Sequence, residues 1–236
     1  MKLYMNTTFG LSLLSLSLLF MSCTKLPLKE NEHIIFFGDS ITELGIKPNG
    51  YISLIQDSLD IMYPDLNIET IGAGISGHKV PDLDNRLERD ILSKNPSTVI
   101  IYIGINDVWH SILPSLQGTP KDQYESGLHH IIKAIKSIDA RIILCTPSVI
   151  GEKYDGSNML DTLLDDYAEI SRQIAIKENI ELCDLRKEFK KFLCENNRDN
   201  LEKGILTYDG VHLSDMGNKI VSEMLIDILI NTDNCK

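Results

Sequence analysis

Short, wholly apolar runs separated by longer segments of helical spacing constrain this chain more than any other feature. Val99-Ile100-Ile101-Tyr102-Ile103 and Ile142-Ile143-Leu144-Cys145 contain no charged residue. A strand with one wet face alternates polar and apolar side chains, whereas a strand covered on both faces does not. The continuous pattern belongs to parallel strands sandwiched between helices. Strands are predicted at 33–38, 66–71, 97–103, 140–146 and 180–183. Between them, 51–62, 80–92, 124–138, 160–178 and 215–230 carry apolar residues at a spacing near 3.6. In the fourth segment Leu163, Leu164, Tyr167, Ile170, Ile174 and Ile176 mark that face. Asp161 to Asp166 put negative charge near its start, where the helix dipole favours it. Strand–helix alternation with right-handed crossovers gives an α/β fold, a three-layer α/β/α sandwich of five parallel strands. Periodicity does not order the strands.

At 236 residues the chain suits one well-buried domain. Its net charge of −11 disfavours nucleic acid or an anionic membrane surface as the main partner, since both would repel it. The first 22 residues read as a signal peptide of lipoprotein type. Lys2 starts it, and the apolar and serine stretch from Phe9 to Phe20 is too short to span a bilayer. Ser22-Cys23 closes it in the manner of a bacterial lipoprotein processing site, which would leave Cys23 lipidated. Phe20 departs from the aliphatic residue usual at its place, and a plain secretory signal is the alternative. Residues 23–32 form a polar tether and 33–236 the folded domain. The expected location is the bacterial cell envelope, lipid-anchored, or else secreted.

Of the remaining cysteines, Cys145 and Cys183 lie in apolar strand-like runs and are read as free thiols. A bridge between Cys194 and Cys235 is open. No C-x-x-C or His-rich cluster suggests a metal, and no cofactor is expected.

The chemistry gathers at four short blocks. Phe36-Phe37-Gly38-Asp39-Ser40 ends the first apolar run in a turn, placing a hydroxyl at the carboxyl edge of the sheet, where open α/β sheets keep their ligands. An ordinary turn is the competing reading. Gly72-Ala73-Gly74-Ile75-Ser76-Gly77 and Gly104-Ile105-Asn106-Asp107 follow the next two strands. Asp209-Gly210-Val211-His212 precedes the last helical segment. The four blocks, in this order and from about residue 34 to 229, resemble the SGNH, or GDSL-type, serine hydrolase family. The second block departs from a common family pattern, with Gly72 where many members carry asparagine. Gly38-Asp39-Ser40-Ile41-Thr42 lacks the second glycine of a G-x-S-x-G elbow.

The resemblance implies the strand order 2-1-3-4-5 and a set of roles. Ser40 would be the nucleophile, His212 the general base, and Asp209 the carboxylate that orients it. The backbone N–H groups of Ser40 and Gly74 and the Asn106 side chain would form the oxyanion hole. A glycine at 74 suits close backbone approach to a substrate. The loops 108–121 and 148–158 are expected to shape the pocket, with Trp109 as a candidate wall. His110 is read either as pocket wall or as a structural histidine. Asp39 and Asp107 are read as turn braces, Glu43 as a solvated charge, His78 as a loop residue, and His129 and His130 as structural or solvated.

The leading expectation is an exported esterase removing a short acyl group, acetyl above all, from a carbohydrate or similar polar alcohol. The alternatives are a lysophospholipase or thioesterase on longer chains, and a non-catalytic lipoprotein that binds glycans or a partner.

Overall fold

The computed structural model describes residues 28–231. The signal-peptide and Cys23 expectations, and Cys235, lie outside those residues. Five strands, β1 (His33–Gly38), β2 (Glu69–Gly74), β3 (Thr98–Tyr102), β4 (Arg141–Cys145) and β5 (Glu181–Cys183), pair in parallel in the order β2-β1-β3-β4-β5. The sheet class and strand order are as expected.

Among the described residues eight α-helices connect and follow them: α1 (Ser40–Gly45), α2 (Tyr51–Met62), α3 (Val80–Asp90), α4 (Ile105–Trp109), α5 (Lys121–Lys136), α6 (Asp161–Glu178), α7 (Leu185–Asn196) and α8 (Asp215–Ile230). Successive strand residues point to opposite faces, and two phenylalanines of β1 show the consequence. The Phe36 ring meets Tyr51 of α2 edge to face at 5.7 Å, while Arg86 of α3 lies 4.5 Å over the Phe37 ring. Helices α2 and α8 pack together, α3 packs on α5, and α5 packs on α6. Every residue of β3 is buried, and so are the last five of β1, so the core runs along both faces of the central strands.

Register levels one edge of the sheet. Gly38 pairs with Gly74 and with Tyr102, Tyr102 with Cys145, and Cys145 with Cys183. The segments that leave this edge therefore start side by side. Ser40, the turn after Gly74 and the Asn106 helix are brought together by pairing alone.

Several elements differ from the sequence expectation. Strand β2 begins at Glu69 because Pro64–Leu66 is a turn of 3₁₀ helix and Asn67 adopts a left-handed conformation (φ 48°). The strand then runs on through Gly72 and Gly74. Helix α5 starts at Lys121, with Pro120 as its N-cap. The expected loop 108–121 opens as helix, with the end of α4 and a 3₁₀ turn at His110–Ile112, and the Thr119 N–H donates to Asp107 O at 2.9 Å. Helix α7 has no counterpart in the sequence reading. Its Leu185, Phe189 and Leu193 form a buried stripe, and the Asp184 carboxylate accepts from the Lys187 N–H to cap it. Cys145 and Cys183 are buried free thiols, and Cys194 is free and exposed.

Candidate active site

Residue 40 opens α1, directly after the last strand residue of β1. Asp39 caps that helix, its Oδ1 accepting from the Ile41 N–H at 3.0 Å. This is the turn-bracing role expected of it. Burial is the main force on its carboxyl, and with the nearby Asp107 it pushes the pKa up to about 7, against the Ile41 N–H and Arg86.

From the other side comes the segment between α7 and α8. A bridge between Thr207 and Leu213 closes it into a narrow loop, and the Tyr208 N–H donates to His212 O at 2.9 Å. Within the loop, Asp209 Oδ1 accepts from the N–H groups of Val211 (2.9 Å) and His212 (2.8 Å). Its Oδ2 lies 2.7 Å from His212 Nδ1, and His212 Nε2 lies 2.9 Å from Ser40 Oγ. Partial burial works to raise the Asp209 pKa, but the His212 ring and the two N–H donors outweigh it and hold it below the ordinary value. An ionised carboxylate only accepts, so the shared proton sits on Nδ1 and leaves Nε2 to accept from the serine. Tyr208, 57% exposed, stacks on the His212 ring at 5.7 Å and 16°.

The other two residues expected to supply donors stand at the end of β2 and in α4. Gly74 ends β2 opposite Gly38. A Cβ at Gly74 would fall 2.1 Å from the Glu43 nitrogen and 2.6 Å from Asp39 O. The backbone of α1 and its cap therefore already demand glycine here. Asn106 is 3% exposed, and its amide donates to His78 O at 3.1 Å and to Asp39 Oδ2 at 3.4 Å. The second contact is long and weak, so one amide hydrogen is readily redirected.

Arg86 was not anticipated. Only 5% exposed, it donates to Gly38 O (2.7 Å), Ala73 O (2.9 Å), Asp90 (2.8 Å) and His78 Nδ1 (3.2 Å). It therefore ties the ends of β1 and β2 together and braces the Gly74 segment that lacks an asparagine at 72. Glu43 adds a second tie, its carboxylate accepting from the Ser76 N–H at 2.6 Å and hydroxyl at 2.5 Å. It is a loop tie rather than a free surface charge. His78 is part-buried, and burial first, then Arg86, lowers its pKa. Asp107 accepts from the Val80 N–H at 3.1 Å, and burial pushes its carboxyl up to about 6. His129 and His130 of α5 face Glu178 (2.8 Å) and Asp84 (2.6 Å).

Beside the Asp209 loop lies a cavity of about 540 Å³, walled by Trp109, Ile112, Ile150, Met159, Asp209 and Val211 among others. Both loops expected to shape a pocket contribute to it. Trp109 is half-buried and lines it. His110 is buried in the next turn and is not among the lining residues, with its pKa lowered by burial and then by Lys79.

The chain is similar to known proteins in sequence and in fold. The GDSL-like Lipase/Acylhydrolase family model matches residues 36–220. An acetylxylan esterase of Geobacillus stearothermophilus is 32% identical over 210 residues, covering 83% of this chain and 92% of that one. The crystal structure of an acetyl xylan esterase superposes with a TM-score of 0.81 at 42% identity, over 84% of this chain and 100% of the other. A further set of structures at 29% identity, covering 86% of this chain and 96% of theirs, are described as catalytic mutants of a Geobacillus stearothermophilus acetylxylan esterase. They replace an aspartate (TM-score 0.76), a serine (0.76) and a histidine (0.77) by alanine.

Proposed function

This chain belongs to the GDSL-like lipase/acylhydrolase family and is an ester hydrolase of the GDSL/SGNH type, and from that premise we propose that it is an exported serine esterase removing acetyl groups from a carbohydrate. The observation that carries the mechanism is the unbroken line Ser40 Oγ–His212–Asp209, at 2.9 and 2.7 Å. Ser40 Oγ attacks the acetyl carbonyl as His212 Nε2 takes its proton, and Asp209 stabilises the imidazolium. The N–H groups of Ser40 and Gly74 and the amide of Asn106, drawn from its long contact to Asp39, receive the oxyanion. His212 then protonates the leaving sugar hydroxyl as the C–O bond breaks. Water activated by the same histidine releases acetate from the acyl-enzyme. Neither a metal nor a cofactor enters the scheme.

The choice of acetyl and of a carbohydrate draws on the relatives named above and on Trp109. Trp109 stands three residues after Asn106 and lines the cavity beside the Asp209 loop; with its indole turned into the site it would close the acyl side and admit only a short group. A hydrophobic pocket gains about 1–3 kcal/mol per accommodated methylene. Comparison of kcat/KM on p-nitrophenyl esters from acetate to dodecanoate, alongside acetate release from acetylated xylo-oligosaccharides, tests this. The expected order is acetate over octanoate, with Trp109→Ala moving the preference toward longer chains. A wild type fastest on octanoate or longer replaces this reading by the lysophospholipase or thioesterase one, for which Ile112, Ile150 and Met159 supply an apolar wall. A Trp109→Ala variant that loses stability without changing the profile assigns the indole to packing.

The domain boundaries belong to the same proposal: a signal peptide over 1–22, lipid on Cys23, a tether over 23–32 and the hydrolase domain over 33–236. Intact mass of protein from its native envelope is expected to show an N-terminus at Cys23 bearing lipid. Cys23→Ala is expected to leave the membrane fraction or remain unprocessed. A native N-terminus elsewhere, or an unmodified Cys23, contradicts the anchor.

A further inference from the structure

We infer that Glu152 is a positioning residue, whose buried carboxylate fixes the 205–212 loop so that Asp209 and His212 meet Ser40. The inference rests on the catalytic reading above. Glu152 is fully buried (0% exposed). Its Oε2 accepts from the Ile205 N–H at 2.9 Å, and its Oε1 from the Leu206 N–H at 2.7 Å and the Thr207 hydroxyl at 2.6 Å. The Thr207 N–H also donates to Oε1. Three consecutive peptide N–H groups and a hydroxyl thus turn inward onto one side chain, and all four donors are neutral. A buried carboxylate is tolerated only when so satisfied, and the donors in turn have few other partners to choose.

The clamp reaches the reacting groups in two steps. Thr207 Oγ1 accepts from the Gly210 N–H at 3.1 Å, and Gly210 O accepts from the Gly151 N–H at 2.7 Å. Both peptide groups of Gly210, next to Asp209, are therefore referred to residues 151 and 152. Gly210 itself sits at φ 103°, a conformation that side chains rarely adopt and that leaves the turn dependent on such ties. Glu152 is equally fixed through its main chain. Its N–H donates to Glu202 O at 2.8 Å, and its carbonyl accepts from the Asn197 amide at 2.8 Å. Its neighbours Gly151 and Lys153 line the 540 Å³ cavity. One residue thereby sets the distance between the cavity wall and the loop carrying the base.

Glu152→Gln keeps the volume but turns an NH₂ toward backbone donors. Thr207→Val removes only the relay to Gly210. A displacement of about 1 Å in reacting groups costs about 10²-fold in rate. Glu152→Gln is therefore expected to lower kcat on p-nitrophenyl acetate by about 30- to 100-fold with KM within about twofold, and Thr207→Val by about tenfold. Glu152→Asp, which keeps the charge, recovers part of the loss. A readout independent of turnover is the downfield proton resonance of His212 Nδ1–H, held by Asp209. It is expected in the wild type and broadened or shifted in both variants. Arg141→Met, which removes contacts at the opposite strand ends, serves as a control that lowers the thermal midpoint without changing kcat or the resonance.

If Glu152→Gln does not fold, Thr207→Val decides. Variants that are less stable yet keep wild-type kcat and an unmoved resonance overturn the inference and make Glu152 a structural clamp only. A resonance that moves while Ser40→Ala remains active supports the positioning role and instead removes the catalytic reading. Absence of the resonance from the wild type contradicts both.

Discussion

Replacing Ser40 by alanine is expected to lower kcat on acetyl esters by about 10⁴-fold or more while leaving thermal unfolding unchanged. Ser40 is the first residue of α1, and its side chain is only half-buried. The cap of that helix is Asp39, whose bond to the Ile41 N–H does not involve residue 40. Alanine is a better helix former than serine, so the local backbone loses nothing. What disappears is the 2.9 Å contact to His212 Nε2 and the attacking oxygen itself. Turnover of p-nitrophenyl acetate by purified variant and wild type, with a thermal melt of each, checks the pair of outcomes. A variant retaining a tenth of wild-type kcat would remove Ser40 as nucleophile.

Asp209→Asn is expected to cost about 10⁴-fold in kcat with the loop intact. The asparagine carbonyl still accepts the N–H groups of Val211 and His212, which hold the turn. Its NH₂, however, faces Nδ1 where the Oδ2 acceptor stood, 2.7 Å away. The neutral imidazole then places its proton on Nε2, the nitrogen that must accept from Ser40. Geometry survives and the tautomer is wrong. In the wild type, against partial burial, the His212 ring and the Val211 and His212 N–H groups hold the Asp209 pKa below the ordinary carboxylate value, so the group stays ionised to lower pH than an unperturbed carboxylate. Loss of activity through its protonation accordingly begins at lower pH than it would for an unperturbed carboxylate. An Asp209→Asn enzyme within tenfold of wild type means that the carboxylate does not orient the base.

The legible and illegible parts of this fold divide along physical lines. Strands β1, β3 and β4 announce themselves because burial on both faces excludes polar residues from Ile34 to Phe37, Val99 to Tyr102 and Ile142 to Cys145. Strand β2 is misplaced by sequence because Leu66 and Ile68 are apolar for packing reasons in a turn and its exit. The true strand runs through glycines of low strand propensity, one of which is demanded by the backbone of α1 against Gly74. In α7, Arg186, Lys187, Glu188, Lys190 and Lys191 outnumber the apolar stripe and hide it. The strand order came from family resemblance, since register and neighbours are set by contacts that no local pattern records.

Among the residues of the proposed site, Ser40, Gly74, Asn106, Asp209 and His212 stand out in sequence because each sits in a short block with its own turn chemistry. Arg86 and Glu152 do not. The Gly38 carbonyl that Arg86 holds is 48 positions away, and the Ile205 N–H that Glu152 accepts is 53 away. A weak signal existed for the first. Arg86 falls on the buried face of α3 with Val80, Leu83 and Leu87, where a charge needs a partner. Glu152 stands in a polar loop and shows nothing in sequence.

The central claim, that Ser40 performs the ester chemistry, is tested most directly by labelling with a fluorophosphonate probe followed by peptide mapping. The expected result is one adduct per chain, on the peptide containing Ser40, with acetyl-ester hydrolysis lost in proportion to labelling and no adduct on Ser40→Ala. A fully labelled protein that still hydrolyses acetyl esters, an adduct on another residue, or no labelling of an active wild type would contradict it.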